Sequence, residues 1–271
     1  MESVKPHTTT LNKVNAYWMA KIAKAAYFHL NDEVKTPDTK QILTYLKRED
    51  PGFMSVTGYS KNSAQAVLVE HQNYLCMGFR GTDEIADWLD NLNVISTDQL
   101  FGEFHKGFYK ANEDVWTPLF KKYRDLRAEK KRPLFITGHS LGGAMATIAA
   151  AKLIHQDLPF SCAYTFGQPR AMTRETSRIF NMEAKSRFFR FQNNNDLVTR
   201  VPARLTGYSH VGTFIYITEE KEMYNDPGFW FRFVDAVDGA VDAVAEAGLD
   251  MIEDHDMADY LSAIQQWKVK F

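Results

Sequence analysis

One serine of this chain stands between two glycines, directly after an apolar run and directly before a run of small residues. The stretch ITGHSLGGAMA (136–146) contains the pattern G-x-S-x-G around Ser140. Its flanks predict a short buried strand over 133–137 and a helix over 142–154, since the first is apolar and the second rich in alanine. A sharp strand-to-helix turn of this kind raises a serine hydroxyl out of a sheet, and glycines two residues away on each side leave room for it. The pattern therefore indicates a nucleophile.

The rest of the chain alternates between helical and extended patterns. The predicted helices cover 11–29, 40–48, 107–131, 142–154 and 173–183, and the predicted strands cover 53–60, 63–72, 73–81, 133–137, 161–167, 187–192 and 210–217. Such alternation favours an α/β fold whose central, mainly parallel sheet is flanked by helices. No internal repeat or linker divides the sequence, so we expect one domain over residues 1–271.

Composition limits the classes of function and location. The formal net charge is −2, which gives no reason to expect a nucleic-acid partner. Cys76 and Cys162 lie in separate apolar runs, which favours two buried free thiols over a disulfide or a metal site. The first ten residues lack the pattern of a Sec-type signal peptide, and no apolar run approaches the roughly 18 residues of a membrane span. These observations predict a cytoplasmic chain, with export by a non-classical route left open.

A nucleophilic serine needs a histidine base, and the base needs an acid that orients it. Three histidines follow Ser140. His155 would lie on the helix that leaves the turn, about 20 Å from Ser140 at 1.5 Å per residue, so geometry excludes it. His210 and His255 both stay open on this reasoning. Asp196 follows the predicted strand over 187–192, at the end of a strand where α/β sheets place active-site groups, and is the candidate acid.

Several further blocks, taken together with the serine turn, resemble the class 3 lipases, the fungal-type triacylglycerol lipase family of the α/β-hydrolase superfamily. They occur in the family's order and at similar intervals across residues 70–260. The blocks are FRGT (79–82), DWLDNL (87–92), HKGFY (105–109), GHSLGG (138–143), FGQPR (166–170), NNDLVTRVP (194–202) and YSH (208–210).

The resemblance implies roles for individual residues. Asp196 matches the family's catalytic acid, and His255 occupies the place of its catalytic histidine, whereas His210 belongs to a block whose histidine is typically structural. For the oxyanion hole, the backbone N–H of Leu141 is expected as one donor because it follows the nucleophile. By resemblance, Thr82 is the other. Neither a cofactor nor a metal is implied.

Two segments are candidates for covering the site. In family lipases the stretch matching 83–92 is a short lid helix, and Ile85, Trp88 and Leu89 would form its apolar, substrate-facing side. Permanent packing of these side chains in the core is the alternative. Residues 226–248 place four aromatic residues before an amphipathic helical pattern, so this segment is either a helix packed on the core or a flap beside the site.

The resemblance therefore implies a serine-dependent carboxyl-ester hydrolase, first of all a triacylglycerol lipase that works through an acyl-enzyme. Its partner would be a lipid or ester substrate, in some cases at a lipid–water interface. A phospholipase A-type enzyme and a short-chain or aryl (feruloyl-like) esterase are alternatives that keep the chemistry. An inert hydrolase-like binding protein is a remote alternative, disfavoured because nucleophile, acid, base and oxyanion donor are all present. The sequence leaves the oligomeric state open.

Overall fold

A nine-stranded sheet carries the fold in the computed structural model, which describes residues 2–31, 35–82, 85–90, 92–227 and 254–270. The strands of these residues are β1 (Phe53–Lys61), β2 (Ala64–His71), β3 (Leu75–Phe79), β4 (Ser96–Gln99), β5 (Gly102–His105), β6 (Leu134–His139), β7 (Cys162–Phe166), β8 (Met172–Thr173), β9 (Phe188–Asn193), β10 (Tyr208–Ser209), β11 (Thr213–Ile217), β12 (Glu222–Asn225) and β13 (Lys268–Lys270). The large sheet has the order β1-β2-β3-β6-β7-β9-β11-β12-β13, and β10-β8-β5-β4 form a small second sheet. From β3 through β11 every pairing in the large sheet is parallel.

The helices of the described residues cover both faces of this sheet. They are α1 (Lys13–Ala25), α2 (Thr39–Lys47), α3 (Ile85–Asp90), α4 (Lys106–Glu129), α5 (Leu141–His155), α6 (Arg174–Ala184) and α7 (Met257–Gln266). One apolar cluster contains α4, α5 and side chains such as Ile136, and a second contains α1, α7 and side chains such as Phe135. Because successive residues of a strand point to opposite faces, β6 is buried on both sides.

The parallel register brings four loops to one edge of the sheet. Phe79 pairs with Gly138, His139 pairs with Phe166, and Phe166 pairs with Phe191. The segments that follow β3, β6, β7 and β9 therefore leave the sheet side by side. In α/β sheets the carboxyl ends of the parallel strands form the ligand-binding edge, so this is where a site is expected.

The predicted α/β architecture, with a mainly parallel sheet flanked by helices, is confirmed. The helix predicted over 11–29 is shorter than expected, because the chain turns at Ala26 and Tyr27 after α1. Cys76 and Cys162 are buried free thiols, as predicted, and burial raises the pKa of Cys162 to about 12. Within the described ranges no helix is long and apolar enough to cross a membrane.

Candidate active site

Ser140 lies in the turn between β6 and α5 in a backbone conformation that few residues adopt. Its φ is 59° and its ψ is −133°, and its N–H donates to the carbonyl of Phe166 at 3.0 Å. The two flanking glycines are required by close approach. A Cβ at Gly138 would collide with the backbone of Gly142, and a Cβ at Gly142 would collide with the backbone at Phe79. The sequence pattern is thus explained by the crowding around this turn.

The environment of the Ser140 hydroxyl is suited to a developing negative charge. Ser140 is 0% exposed, and its Oγ has no hydrogen-bond partner among the described residues. Leu141 is the first residue of α5, so its N–H belongs to the helix end that carries partial positive charge. The sequence-predicted oxyanion donor therefore sits beside the serine.

Asp196 follows β9 and begins a short 3₁₀ turn over 197–200. The side chain is fully buried, and its carboxylate accepts three kinds of donor. His255 Nδ1 lies 2.9 and 2.8 Å from its two oxygens, the Tyr260 hydroxyl donates to Oδ2 at 2.5 Å, and the N–H of Val198 donates to Oδ1 at 2.9 Å. These donors offset the cost of burying a carboxylate.

His255 is fully buried and its ring is oriented through Nδ1 by Asp196. Its Nε2 has no hydrogen-bond partner in the described part of the chain. The aspartates on either side of His255, Asp254 and Asp256, form hydrogen bonds with other groups. Asp254 accepts from Asn194 Nδ2 at 3.1 Å and from the N–H of Asn195 at 3.2 Å, while Asp256 caps α7. Burial, together with the nearby Asp196 charge, raises the pKa of Asp254.

His139 connects the serine turn to His255, a contact that the sequence did not reveal. Its Nε2–H donates to the backbone carbonyl of His255 at 2.7 Å, and Tyr27 OH lies 2.7 Å from Nδ1. The rings of His139 and His255 are 4.4 Å apart. Complete burial, and then the adjacent His255, hold the pKa of His139 well below its usual range, so the ring is neutral and both nitrogens are used.

Gly167, at the end of β7, lies directly against the pair formed by Asp196 and His255. A Cβ there would be 2.7 Å from Asp196 Oδ2 and from two atoms of the His255 ring, and the residue has a φ of +55°. Only glycine fits both the space and the backbone conformation. The block FGQPR contains this glycine, and Tyr260 lies five residues after His255. The contacts of Gly167 and Tyr260 with Asp196 could not be predicted from sequence spacing, because these residues are distant from Asp196 in the sequence.

The loop after β3 packs against the serine turn. A Cβ at Gly81 would be 2.8 Å from Ser140 Cβ, so the chain passes Ser140 at contact distance. Thr82, half-buried, is the next residue. Arg80 holds the loop to the neighbouring strand, since its Nη1 donates to Gln65 Oε1 at 3.1 Å. Arg80 therefore braces this loop.

Helix α3 falls within the predicted lid segment 83–92. Ile85, Trp88 and Leu89 are half-buried, while Asp87 and Asp90 are exposed, so the short helix has an inward apolar side. The ring of Trp88 stacks on Phe108 at 5.8 Å between centroids. The apolar side therefore lies against the core here. The predicted flap 226–248 lies outside the described residues beyond Pro227.

His210 occupies a different place from His255. Its Nε2–H donates to the carbonyl of Thr199 at 2.7 Å, so it supports the loop that follows Asp196. Burial, and then the charges of Arg190, Arg170 and Arg204, hold the pKa of His210 well below its usual range. A neutral ring tied to a backbone carbonyl is a structural arrangement.

Comparison with known proteins matches part of the chain to one family. The family model described as Lipase (class 3) matches residues 76–206. This segment of the chain belongs to the class 3 lipase family. It contains Ser140 and Asp196 and ends before His255.

Individual relatives agree with this assignment. A secreted mono- and diacylglycerol lipase of Penicillium cyclopium is 27% identical over 164 residues, which cover 58% of this chain and 52% of the relative. A phospholipase A1 of Oryza sativa subsp. indica is 34% identical over 220 residues, covering 70% and 55%. The chain spans about half the length of these curated relatives. A solved structure of a substituted form of Penicillium cyclopium MDLA has the same fold, with a TM-score of 0.69 and 21% identity over 89% of this chain and 92% of that one.

The prediction of a cytoplasmic location is wrong. Relatives from Penicillium cyclopium, Penicillium camembertii and Fusarium solani are named as secreted lipases, which points to an extracellular location. The prediction rested only on the lack of a signal-peptide pattern in the first ten residues. That observation is weaker than the named location of several relatives.

Proposed function

We propose that this chain is a serine-dependent carboxyl-ester hydrolase that acts on acylglycerols, with Ser140, His255 and Asp196 as its catalytic residues. The observation that carries the proposal is the fully buried pair in which His255 Nδ1 lies 2.8 Å from Asp196 Oδ2, beside the turn of a buried serine. His255 Nε2 and Ser140 Oγ have no hydrogen-bond partner among the described residues, and we take them as the reacting atoms. The relatives named as acylglycerol lipases support this substrate class.

In the first half of the reaction, Ser140 Oγ attacks the ester carbonyl and His255 Nε2 takes its proton. Asp196 stays ionised and stabilises the imidazolium through the Nδ1–H bond. The tetrahedral intermediate then collapses, the ester C–O bond breaks, and His255 returns the proton to the leaving alcohol. The result is an ester of the acyl group with Ser140.

In the second half, a water molecule gives a proton to His255 Nε2 and attacks the acyl-enzyme carbonyl. The bond between the acyl carbon and Ser140 Oγ then breaks, His255 returns the proton to Oγ, and the carboxylic acid is released. The oxyanion of both steps would accept hydrogen bonds from the N–H groups of Leu141 and Thr82. Such donors lower the barrier by roughly 3–4 kcal/mol each in serine hydrolases. The close passage of Gly81 past Ser140 supports Thr82 in this role.

Substrate entry is proposed to require movement of the lid segment 83–92. Ser140 is 0% exposed, so an ester carbonyl reaches Oγ only after a covering element moves. Helix α3 presents Trp88 and Leu89 inward, and the displaced helix would offer that apolar side to the acyl chain or to a lipid surface.

A phospholipase A1 activity is the second candidate. The observation that favours it is the rice phospholipase A1, which is 34% identical over 70% of this chain. The same catalytic residues would cleave an acyl ester of a glycerophospholipid. The two candidates differ in the group attached to the glycerol and not in the chemistry at Ser140.

The test is a set of initial rates on four substrates: a short soluble ester, a monoacylglycerol, an emulsified triacylglycerol and a phosphatidylcholine. We expect acylglycerols to be cleaved fastest, with a rate that rises steeply once a triacylglycerol passes its solubility limit. Ser140→Ala is expected to lower kcat by a factor on the order of 10⁵–10⁶, as for other serine hydrolases. Ser161→Ala is the matched control, since this serine donates to the carbonyl of Pro6, away from the site.

Each outcome decides between candidates. Preference for phosphatidylcholine would favour the phospholipase, and cleavage of the soluble ester alone would refute both the acylglycerol substrate and the moving lid. An unchanged rate for Ser140→Ala would refute the catalytic assignment itself.

A further inference from the structure

A cavity of about 320 Å³ away from Ser140 is rich in cationic side chains. It lies between α6, the residues that follow β10, and Arg190 of β9. Its volume is at the lower end of ordinary small-ligand pockets, which are roughly 300–1,000 Å³. The six cationic residues that line it are Arg170, Arg174, Arg178, Lys185, Arg190 and Arg204.

Negative charge at this cavity is scarce. Among the described residues that line it, Asp226 is the single carboxylate, and it forms an ion pair with Lys185 at 3.1 Å. Arg174 and Arg178 stand four residues apart on α6, an arrangement of like charges that destabilises a helix. A structural role of α6 does not explain why these two positive charges are placed together. Binding of a negatively charged ligand does explain it.

Two of the arginines are held in place before any ligand binds. Arg170 is 4% exposed, and its Nη1 donates to the carbonyl of Pro202 at 2.9 Å. Arg190 is 6% exposed, and its guanidinium lies 4.2 Å from the ring centre of Phe214. Fixed side chains lose little conformational entropy when they bind, and their charges act in surroundings of low dielectric constant.

Three of the positive charges act on one residue of the cavity wall, His210. His210 lines the cavity, and after burial it is the charges of Arg190, Arg170 and Arg204 that disfavour its protonation and lower its pKa. The charge of the exposed Arg204 therefore acts on His210 together with the charges of the two buried arginines, Arg170 and Arg190. An anion bound there would interact with all of them at once.

We propose that this cavity is a binding site for a phosphate group, either free phosphate or the phosphate of a lipid headgroup. Guanidinium groups match the geometry of phosphate oxygens, and a set of arginines that partly neutralises a dianion is the usual chemistry of such sites. The cavity is larger than one oxyanion requires, which leaves room for a substituent on the phosphate. The site is separate from the proposed catalytic residues and needs no role of Ser140.

The test measures phosphate binding by isothermal titration calorimetry on the full chain, at constant ionic strength and in a buffer without other oxyanions. The variant is Arg178→Gln with Arg204→Gln, two exposed residues whose replacement spares the buried arginines. The control is Lys121→Gln with Arg124→Gln on α4, which removes the same charge from an exposed surface elsewhere. We expect the variant to bind phosphate at least about tenfold more weakly than the wild type and the control to bind as the wild type does.

A second arm separates the two sources of phosphate. Flotation with phosphatidylcholine vesicles, with and without phosphatidic acid, reports on headgroup binding. Calorimetric binding without dependence on phosphatidic acid assigns the site to free phosphate, and flotation that requires phosphatidic acid and both arginines assigns it to a headgroup. The proposal is overturned if the wild type binds neither probe. It is also overturned if both double variants weaken binding equally, because net charge and not the cavity would then be responsible.

Discussion

The hydroxyl of Tyr260 offers the sharpest test of how the buried carboxylate works. It donates to Asp196 Oδ2 at 2.5 Å and accepts from the N–H of Asn193 at 2.9 Å. Burial, and then the negative charge of Asp196, hold the pKa of Tyr260 well above its usual range, so the hydroxyl keeps its proton. Tyr260→Phe removes this donor and leaves His255 and Val198 as the remaining donors to the carboxylate.

The size of the effect follows from these contacts. A hydrogen bond to a charged group contributes about 1.5–3 kcal/mol, and for a chain of this length that lowers Tm by about 3–5 °C. The Asp196 carboxylate also loses a donor, so it orients the His255 ring less firmly and we expect kcat to fall. If about half of the lost interaction is felt in the transition state, kcat falls by roughly four- to twelvefold, which corresponds to about 0.75–1.5 kcal/mol.

The assay compares thermal unfolding and kcat across pH for the wild type, Tyr260→Phe and Tyr74→Phe. Tyr74 is an equally buried control whose hydroxyl has no hydrogen-bond partner among the described residues. We expect the fall in kcat for Tyr260→Phe alone. If both variants show the same Tm and the same kcat, the hydroxyl does not support the carboxylate and the reasoning is refuted.

Two further predictions concern crowding and pH. Gly167→Ala places a methyl group 2.7 Å from Asp196 Oδ2, and we expect kcat to fall at least about a hundredfold. Gly207→Ala has similar backbone strain with no atom within 4 Å, so an equal loss there would contradict the crowding argument. The lowered pKa values of His139 and His210 predict that the free energy of unfolding decreases as pH falls below about 6.5, because the unfolded chain then binds protons that the folded chain rejects. Urea unfolding from about pH 7 to about pH 5 measures this slope, and His210→Gln should flatten it; an unchanged slope would contradict the assignment.

The serine turn could be read from sequence because its causes are local. Gly138 prevents a collision with Gly142, and an apolar strand and a helix of small residues are visible in the same short stretch; only the contact that requires Gly142, with the backbone at Phe79, is distant in sequence. The central strands and the long helices were predicted for the same reason, since their apolar patterns follow the periods of strand and helix. The small sheet of β4, β5, β8 and β10 was not predicted, because its strands are short and carry no such pattern.

The surroundings of His255 could not be read in this way. His255 and His210 were equal candidates until a family resemblance separated them, because nothing local to either residue shows which side chain faces Asp196. The partners that distinguish them are His139 on the serine turn, 116 residues from His255, and the carbonyl of Thr199 in the loop after Asp196 for His210. Contacts across such separations depend on the register of the whole sheet, which periodicity does not report.

The segment that follows Asp196 links the proposed catalytic residues to the cationic cavity. Thr199 Oγ1 donates to the carbonyl of Asp196 at 2.8 Å, while His210 and Arg170 bind backbone carbonyls further along the same segment. Tyr260 holds the carboxylate from the other side. The position of the acid is therefore set by two independent groups of contacts, one near His255 and one at the cavity wall. A ligand in the cavity would act on groups that support the acid loop, and this physical connection is what would let phosphate binding alter the rate of ester cleavage without touching the substrate.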